Sequence, residues 1–422
     1  MGRIVFINRY FYPDHSATSQ MLSDIAFGLQ GTGRTVSVIT SRQRYDAPEE
    51  QLAAYETVAG IDIHRIRTSR FGRHNLVGRA VDYITFYISS AVALMRLVRS
   101  GDVIVAKTDP PMLSVLAAPI AKLKRARLVN WLQDVFPEVA QVLGMGRGGI
   151  SRSVFSLLYW LRDRSLKAAG ANVVLGERMK EHLIAHGVAP EKITIIPNFA
   201  DGTLITAVAR EQNPLRASWG LEDSFVVAYS GNLGRAHEYL TLLDAIARLE
   251  KDPQVPPQSN AQTPSPPMPR ILWLFIGGGA LYEAFRAEVT KHGLTSVRFE
   301  PYQPRERLAQ SLSAGDVHLV SLRPELEGLI VPSKFYGIAA AGRPTIFIGH
   351  ADGEIARLLA QNDCGITVGE GDGAGLANAI LALADAPQRA LAMGKNARAA
   401  FEKHWDKKAV LQRWRALLDE SQ

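Results

Sequence analysis

Short strand-like runs, most of them largely apolar, alternate with stretches of helical spacing along this chain, and the alternation starts twice. In the first half the runs fall at residues 4–8, 35–40, 61–66, 103–106, 127–131, 173–175 and 193–196. In the second half they fall at 225–230, 271–276, 297–300, 317–320, 345–348 and 365–368. A run that is apolar on every position, rather than on alternate ones, suits a parallel strand covered on both faces. Between the runs lie helix-spaced segments such as 19–29, closed by Gly31 and Gly33, and 238–250. Strands separated by helices imply βαβ units, so the fold class is α/β with open, doubly wound parallel sheets.

Two starts imply two domains, as the length of 422 residues also does. The segment IPNFAD at 196–201 reads as the link. The expected partition is 1–200, 201–400 and a C-terminal helical segment 401–422 that crosses back to the first domain. The final helices are expected at 387–402 and 407–420. Residues 252–270, DPQVPPQSNAQTPSPPMPR, break the rhythm with little to bury and read as a surface excursion.

Charge is unevenly distributed. Residues 1–200 hold 25 Lys/Arg against 16 Asp/Glu, whereas the remainder is slightly acidic. Arg65, Arg67, Arg70, Arg73 and Arg79 fall in one short stretch, which points to an anionic partner. No aromatic-interleaved RNA motif or zinc-finger spacing accompanies them, so nucleic acid is not the expected partner. The single Cys364 excludes an internal disulfide and fits a reducing compartment. The N-terminus lacks a signal-peptide pattern, so a cytoplasmic location is expected.

Residues 81–98, VDYITFYISSAVALMRLV, are apolar but interrupted by Asp82 and Arg96, and fall short of a clean span. Two readings stay open: a helix whose apolar face dips into the headgroup region beside the arginines, or a core helix.

Three turns follow predicted strands, at the sheet edge where open α/β folds bind ligands. NRYFYPDHSATSQ places Ser16, Thr18 and Ser19 at a helix start, where free amides meet anions. YSGNLGRAHEYLTLLDA carries Gly231, Asn232 and Gly234 for close backbone approach, with Arg235 and His237 as cationic or donor groups. It is not the GxGxxG fingerprint, which argues against a hydride-transferring dehydrogenase. PELEGLIVPSKFYGIAAAGRPTIFIG brings Pro332, Ser333 and Lys334 to another helix start, with Glu327 just before it.

Together with WLQDVFPE, IPNF and the IGGG that includes Gly278, these segments resemble the family 4 retaining glycosyltransferases of the GT-B fold. The nearest likeness is to the WbuB-like transferases of colanic acid, capsule and O-antigen assembly. The resemblance covers essentially the whole chain apart from the proline-rich excursion. It implies two Rossmann-like domains facing a cleft. It also implies a nucleotide-diphosphate sugar as donor, a lipid-linked polyprenyl-diphosphate acceptor, peripheral association with the inner membrane, and neither metal nor cofactor. Carried over by position, it makes Asp134, Arg235 and Lys334 the catalytic candidates. Gly231, Asn232, Gly234, His237, Gly278, Glu327, Pro332 and Ser333 become donor-binding candidates, with Glu354 a further carboxylate. Ser16, Thr18, Arg73 and Asp109 fall on the acceptor side. Two family features are missing. No lysine follows GNLGR within 236–241, and the positions of the family's glutamate pair hold Leu329 and Gly337.

The resemblance further implies front-face transfer, with the departing phosphate helping to take the acceptor proton. A nucleotide-sugar 2-epimerase on a similar double fold, or a non-catalytic partner subunit, are the alternatives.

Overall fold

The computed structural model describes residues 2–31, 33–45, 47, 49–71, 76–144, 152–251 and 269–419. The chain divides into two compact units. The first comprises 1–197, 328–330 and 410–422, and the second 198–327 and 331–409. Two details differ from the expected partition. Three residues from the middle of the second half, 328–330, belong to the first unit, and so does only the end, from 410, of the expected 401–422 segment. Most of the proline-rich excursion, 252–268, lies outside the described residues, as does Arg73.

The first unit is built on an eight-stranded sheet: β1 (Ile4–Ile7), β2 (Val36–Ser41), β3 (Tyr55–Val58), β4 (Ile61–Ile66), β5 (Val103–Lys107), β6 (Arg127–Trp131), β7 (Ala171–Val174) and β8 (Ile193–Ile195). Their order across the sheet is β3-β4-β2-β1-β5-β6-β7-β8. All pairs are parallel except the β3–β4 hairpin at the edge. Ala59 and Gly60 close that hairpin with positive φ at both positions, the requirement of a tight two-residue turn. The helices are α1 (Ala17–Gly28), α2 (Leu76–Leu97), α3 (Leu113–Lys124), α4 (Glu138–Val142), α5 (Arg152–Ala168) and α6 (Glu177–Ala185). Every residue of β1, β2 and β5 is buried, including Ser37, Thr40, Ser41 and Lys107.

Helix α2 has one buried face and one exposed apolar face. Phe86 and Leu94 on its inner face join the core with Val5, Ile7 and Ile104. Asp82 on that face is buried, accepts from the Ser69 hydroxyl at 2.6 Å and the Phe71 amide at 3.0 Å, and faces Arg9 at 3.7 Å. Its outer face leaves Val77, Ile84, Ile88, Val92 and Met95 exposed. Residues 77–97 are long and apolar enough to cross a membrane, yet Asp82, Phe86 and Leu94 tie the inner face to the sheet.

The second unit carries a six-stranded, all-parallel sheet of β9 (Ser224–Asn232), β10 (Arg270–Gly278), β11 (Val297–Glu300), β12 (Val317–Ser321), β13 (Thr345–Ile348) and β14 (Gly365–Val368), in the order β11-β10-β9-β12-β13-β14. Its helices are α7 (Pro214–Ser218), α8 (Leu240–Lys251), α9 (Tyr282–Lys291), α10 (Leu308–Ser313), α11 (Lys334–Ala340), α12 (Glu354–Asn362), α13 (Gly373–Asp385) and α14 (Pro387–Ala400). A π turn over Phe401–Trp405 follows, and then α15 (Lys407–Asp419), whose larger part belongs to the first unit. There Trp414 packs edge-on against Trp131 at 4.7 Å. Around Trp273, Phe275 and Phe285 the helices of the second unit cover a separate apolar core.

Candidate active site

In the second unit the candidate residues gather at the carboxyl ends of β9, β10 and β12. The last residues of β9 and β10, Gly231-Asn232 and Gly277-Gly278, run side by side. Gly277 has φ of +134°, and a Cβ there would stand 2.4 Å from the Gly231 carbonyl oxygen. Only glycine lets the two strand ends approach this closely. The Leu233 amide then donates to the Gly278 carbonyl at 2.7 Å, which fixes the GNLG turn over the end of β10.

Lys334, the first residue of α11, reaches this turn from 102 residues further along the chain. Its ammonium donates to the Tyr229 hydroxyl, to the Asn232 carbonyl at 3.2 Å and to His237 Nε2 at 3.3 Å. It also lies 4.1 Å from the centre of the Tyr229 ring. Burial pulls the lysine down to about 7. His237 is held lower still, at about 3, by burial first and by the Lys334 charge second. The imidazole is therefore neutral near pH 7. Its Nδ1 sits 2.5 Å from the Ser321 carbonyl, so Nδ1 carries the proton and Nε2 accepts from Lys334. The set thus concentrates one titratable positive charge at a glycine-lined strand edge.

The remaining second-unit candidates divide. Arg235 is exposed and makes no hydrogen bond or ion pair among the described residues, so its guanidinium is available to a ligand beside the same turn. Gly234 sits against the Asn232 side-chain amide. Pro332 is buried, while Ser333 is exposed and its hydroxyl does not cap α11. That helix has seven residues, so the cationic character of the turn comes from Lys334 more than from a helix dipole. Glu327 supports the fold here, because its Oε1 accepts from the Glu354 amide at 2.8 Å and so caps α12. The buried Glu354 enters that cap through its backbone amide.

In the first unit, Asp134 lies just past the end of β6. Burial raises its carboxyl above the usual range, a Thr108 hydrogen bond opposes this, and its Oδ1 has no hydrogen-bond partner. Lys107, the last residue of β5, is a functional candidate that the sequence reading passed over. It is buried, donates to the Thr18 carbonyl at 2.8 Å, and stands 4.3 Å over the Trp131 ring. Burial lowers it to about 7, against the charges of Asp109 and Asp134. Lys107 and Asp134 line a cavity of about 20 Å³, room for one water. Thr18 is thereby linked to the β5 edge, and the Asp109 carbonyl accepts from the Arg9 amide at 2.7 Å. The anion site expected at the start of α1 is altered. The Ser16 amide donates to buried Asp14 at 2.8 Å, so one of the amides offered to a ligand already holds a carboxylate.

The missing glutamate positions are also placed. Leu329 is buried in the first unit, where its carbonyl accepts from the Val135 amide at 2.9 Å. Gly337 lies within α11, and a Cβ there would meet Leu312 at 3.4 Å. For a metal, Glu138, His182 and His186 bring ligand atoms within 4.8 Å of one another. Arg162 already bonds both Glu138 oxygens, at 2.6 and 3.1 Å, so the group reads as a compensated ion-pair network.

Known proteins share the resemblance. Residues 17–198 match the model of the glycosyl transferase 4-like domain. A Pseudomonas aeruginosa protein named as a glycosyltransferase, WbjE, is 24% identical over 388 residues, 90% of this chain and 89% of the relative. An Escherichia coli (strain K12) protein named as a colanic acid biosynthesis glycosyl transferase, WcaI, is 26% identical over 243 residues, 57% of this chain and 55% of the relative. Among solved structures, Anabaena HepE in complex with UDP and glucose superposes with a TM-score of 0.70 at 18% identity, covering 99% of this chain and 100% of that one. Sucrose-phosphate synthase from Thermosynechococcus elongatus gives 0.75 at 18% identity, covering 100% and 99%. With the two largely parallel sheets and the motifs they carry, these likenesses give the chain the GT-B fold and make it similar to the family 4 glycosyltransferases.

Proposed function

We propose that the enzyme moves a hexosyl or N-acetylhexosaminyl group from a nucleotide-diphosphate sugar to a lipid-linked, polyprenyl-diphosphate glycan, with retention and without a metal. Its setting is surface-polysaccharide synthesis at the cytoplasmic face of the inner membrane. The observation that carries the donor side is Lys334, held by Tyr229, Asn232 and His237 at the glycine-lined edge of the second sheet. Breaking the glycosyl–phosphate bond builds negative charge on the leaving diphosphate. An ammonium held at that edge would stabilise the charge once it exchanges one of its protein hydrogen bonds for a diphosphate oxygen. Arg235 adds a second cation from the same turn. The diphosphate oxygen that leaves takes the acceptor hydroxyl proton as the new bond forms on the same face of the sugar. The UDP and UDP-glucose named in the HepE structures support a nucleotide-diphosphate donor.

The acceptor side rests on the surface of the first unit. Helix α3 packs against both α2 and α5. The α2 stripe of Ile84, Ile88 and Val92, with Leu157 and Trp160 on α5, is exposed. Arg79, Arg96, Arg99 and Arg164 are exposed on the same helices or just beyond them. An apolar stripe bordered by arginines suits the headgroup layer of an anionic membrane.

The test is a panel of UDP-, GDP- and dTDP-sugars with polyprenyl-diphosphate sugar, measuring free nucleoside diphosphate. Release that depends on both substrates is the expected result. Acceptor-independent conversion of the donor would make the protein an epimerase. Tight nucleotide binding without turnover would make it a non-catalytic subunit.

A further inference from the structure

A second basic site lies at the carboxyl edge of the first sheet. Arg42 follows β2 directly, and Arg67 to Arg70 follow β4. Arg42, Gln43, Gln51, Arg67, Thr68 and Arg70 line a cavity of about 290 Å³. That approaches the small end of ligand-site volumes. Three of the six lining residues are arginines and none is acidic. The nearby Glu50 is taken by Arg44 at 2.7 Å. Arg67 and Arg70 are exposed and have no carboxylate within ion-pair distance among the described residues.

The walls are fixed. Arg42 Nε donates to the Leu52 carbonyl at 2.8 Å, and Gln43 donates to the Ser69 carbonyl at 2.7 Å while bridging Gln51. On the other side, Ser89 of α2 donates to the Arg67 carbonyl at 2.9 Å, and the Ser69 amide donates to Thr85 at 3.0 Å. The Thr68 hydroxyl is buried without a hydrogen-bond partner. Like-charged guanidiniums held around a cavity with no counter-charge repel one another until an anion enters. Their planar forks match phosphate oxygens in pairs.

We propose that this cavity, lined by Arg42, Arg67 and Arg70, is an anion site for a phosphate or diphosphate group. Its place at the strand edge, on segments bonded to α2, suits the diphosphate of the lipid-linked acceptor. That assignment of source rests on the transferase reading; the anion site does not.

Inorganic pyrophosphate is titrated calorimetrically into the full chain at low salt. A Lys334→Ala, Arg235→Ala background removes both cations of the other unit's turn. This protein is expected to bind pyrophosphate at one site. Adding Arg67→Gln and Arg70→Gln should weaken the affinity about tenfold or more, because two charge-assisted hydrogen bonds to the anion are removed. Both side chains are exposed, so the melting temperature should not move, and Arg67→Lys with Arg70→Lys should restore only part of the affinity, the charge without the bidentate fork. Unchanged pyrophosphate binding in the Gln variant overturns the site.

Two further arms, on protein that keeps Lys334 and Arg235, name the source. A rise of about tenfold in the acceptor KM with the donor KM unmoved identifies the acceptor diphosphate. Weakened binding to phosphatidylglycerol vesicles alone identifies a lipid headgroup, and neither change identifies a free anion. The titration involves no turnover, so loss of the anion site and loss of the transferase reading are separate results.

Discussion

Replacing Lys334 by alanine tests the donor site most directly. A charge-assisted hydrogen bond contributes about 1.5–3 kcal/mol. In the free protein, however, all three ammonium protons are engaged, by Tyr229, Asn232 and His237. A diphosphate must displace one of them, and the longest, to His237 at 3.3 Å and to Asn232 at 3.2 Å, yield first. The net loss should therefore lie near the lower end, about 1.5–2 kcal/mol, or roughly 10–30-fold in kcat/KM for the donor.

The pH dependence sharpens the test. Burial holds Lys334 near 7, whereas a bound diphosphate favours its charged form. Below pH 7 the ammonium is already charged and donor binding takes up no proton. Above it, binding must protonate the lysine, so the donor KM rises by up to about tenfold per pH unit until the pKa of the complex is reached. Steady-state kinetics of the wild type and Lys334→Ala from pH 6 to 9, at fixed ionic strength, read both effects. If the variant keeps the wild-type donor kcat/KM, or both proteins show the same alkaline limb, Lys334 does not hold the diphosphate.

Three other perturbations follow from the packing. Gly277→Ala forces a Cβ to 2.4 Å from the Gly231 carbonyl at φ of +134°, and should cost the second unit about 2–3 kcal/mol in urea unfolding. Gly231→Ala, at φ of +116° but with open space around it, should cost only about 1 kcal/mol; equal losses would mean that crowding plays no part. Arg162→Ala removes the two-pronged partner of the buried Glu138, leaving it only His182 and His186, and should cost about 2–3 kcal/mol, while the Arg178–Glu181 pair should be worth under about 1 kcal/mol when cut the same way. Replacing Ile84, Ile88 and Val92 of α2 by serine should weaken binding to anionic vesicles about tenfold or more without lowering the melting temperature, because all three point outward; unchanged vesicle binding removes α2 as the membrane contact.

How far the fold could be read from sequence depended on burial. Mostly apolar or alternating runs mark the strands, and β4, β6, β11, β13 and β14 fall on the expected residues, although β4 is buried only on alternate positions and β11 only in part. β3 gave no such signal. YETV stands at the sheet edge with Tyr55 and Thr57 exposed, and only its pairing to β4 makes it a strand. The sites were legible to the extent that their chemistry is local. Lys334 could be picked from PSKF because a lysine at a helix start after a predicted strand is unusual. Its partners Tyr229, Asn232 and His237 lie about a hundred residues away, and no spacing rule reaches them. Lys107 shows the opposite failure. It ends an apolar strand run and looked like an ordinary strand terminus, yet the Thr18 carbonyl and the Trp131 ring hold its ammonium. The lysine missing from the GNLGR turn makes the same point from the other side. A diphosphate needs positive charge at one place in space, whichever element delivers it. In this chain α11 delivers it, and the neutral His237 accepts a hydrogen bond from Lys334 where a cationic histidine would repel it. A motif count along the chain therefore scores a loss where the strand edge has kept its charge.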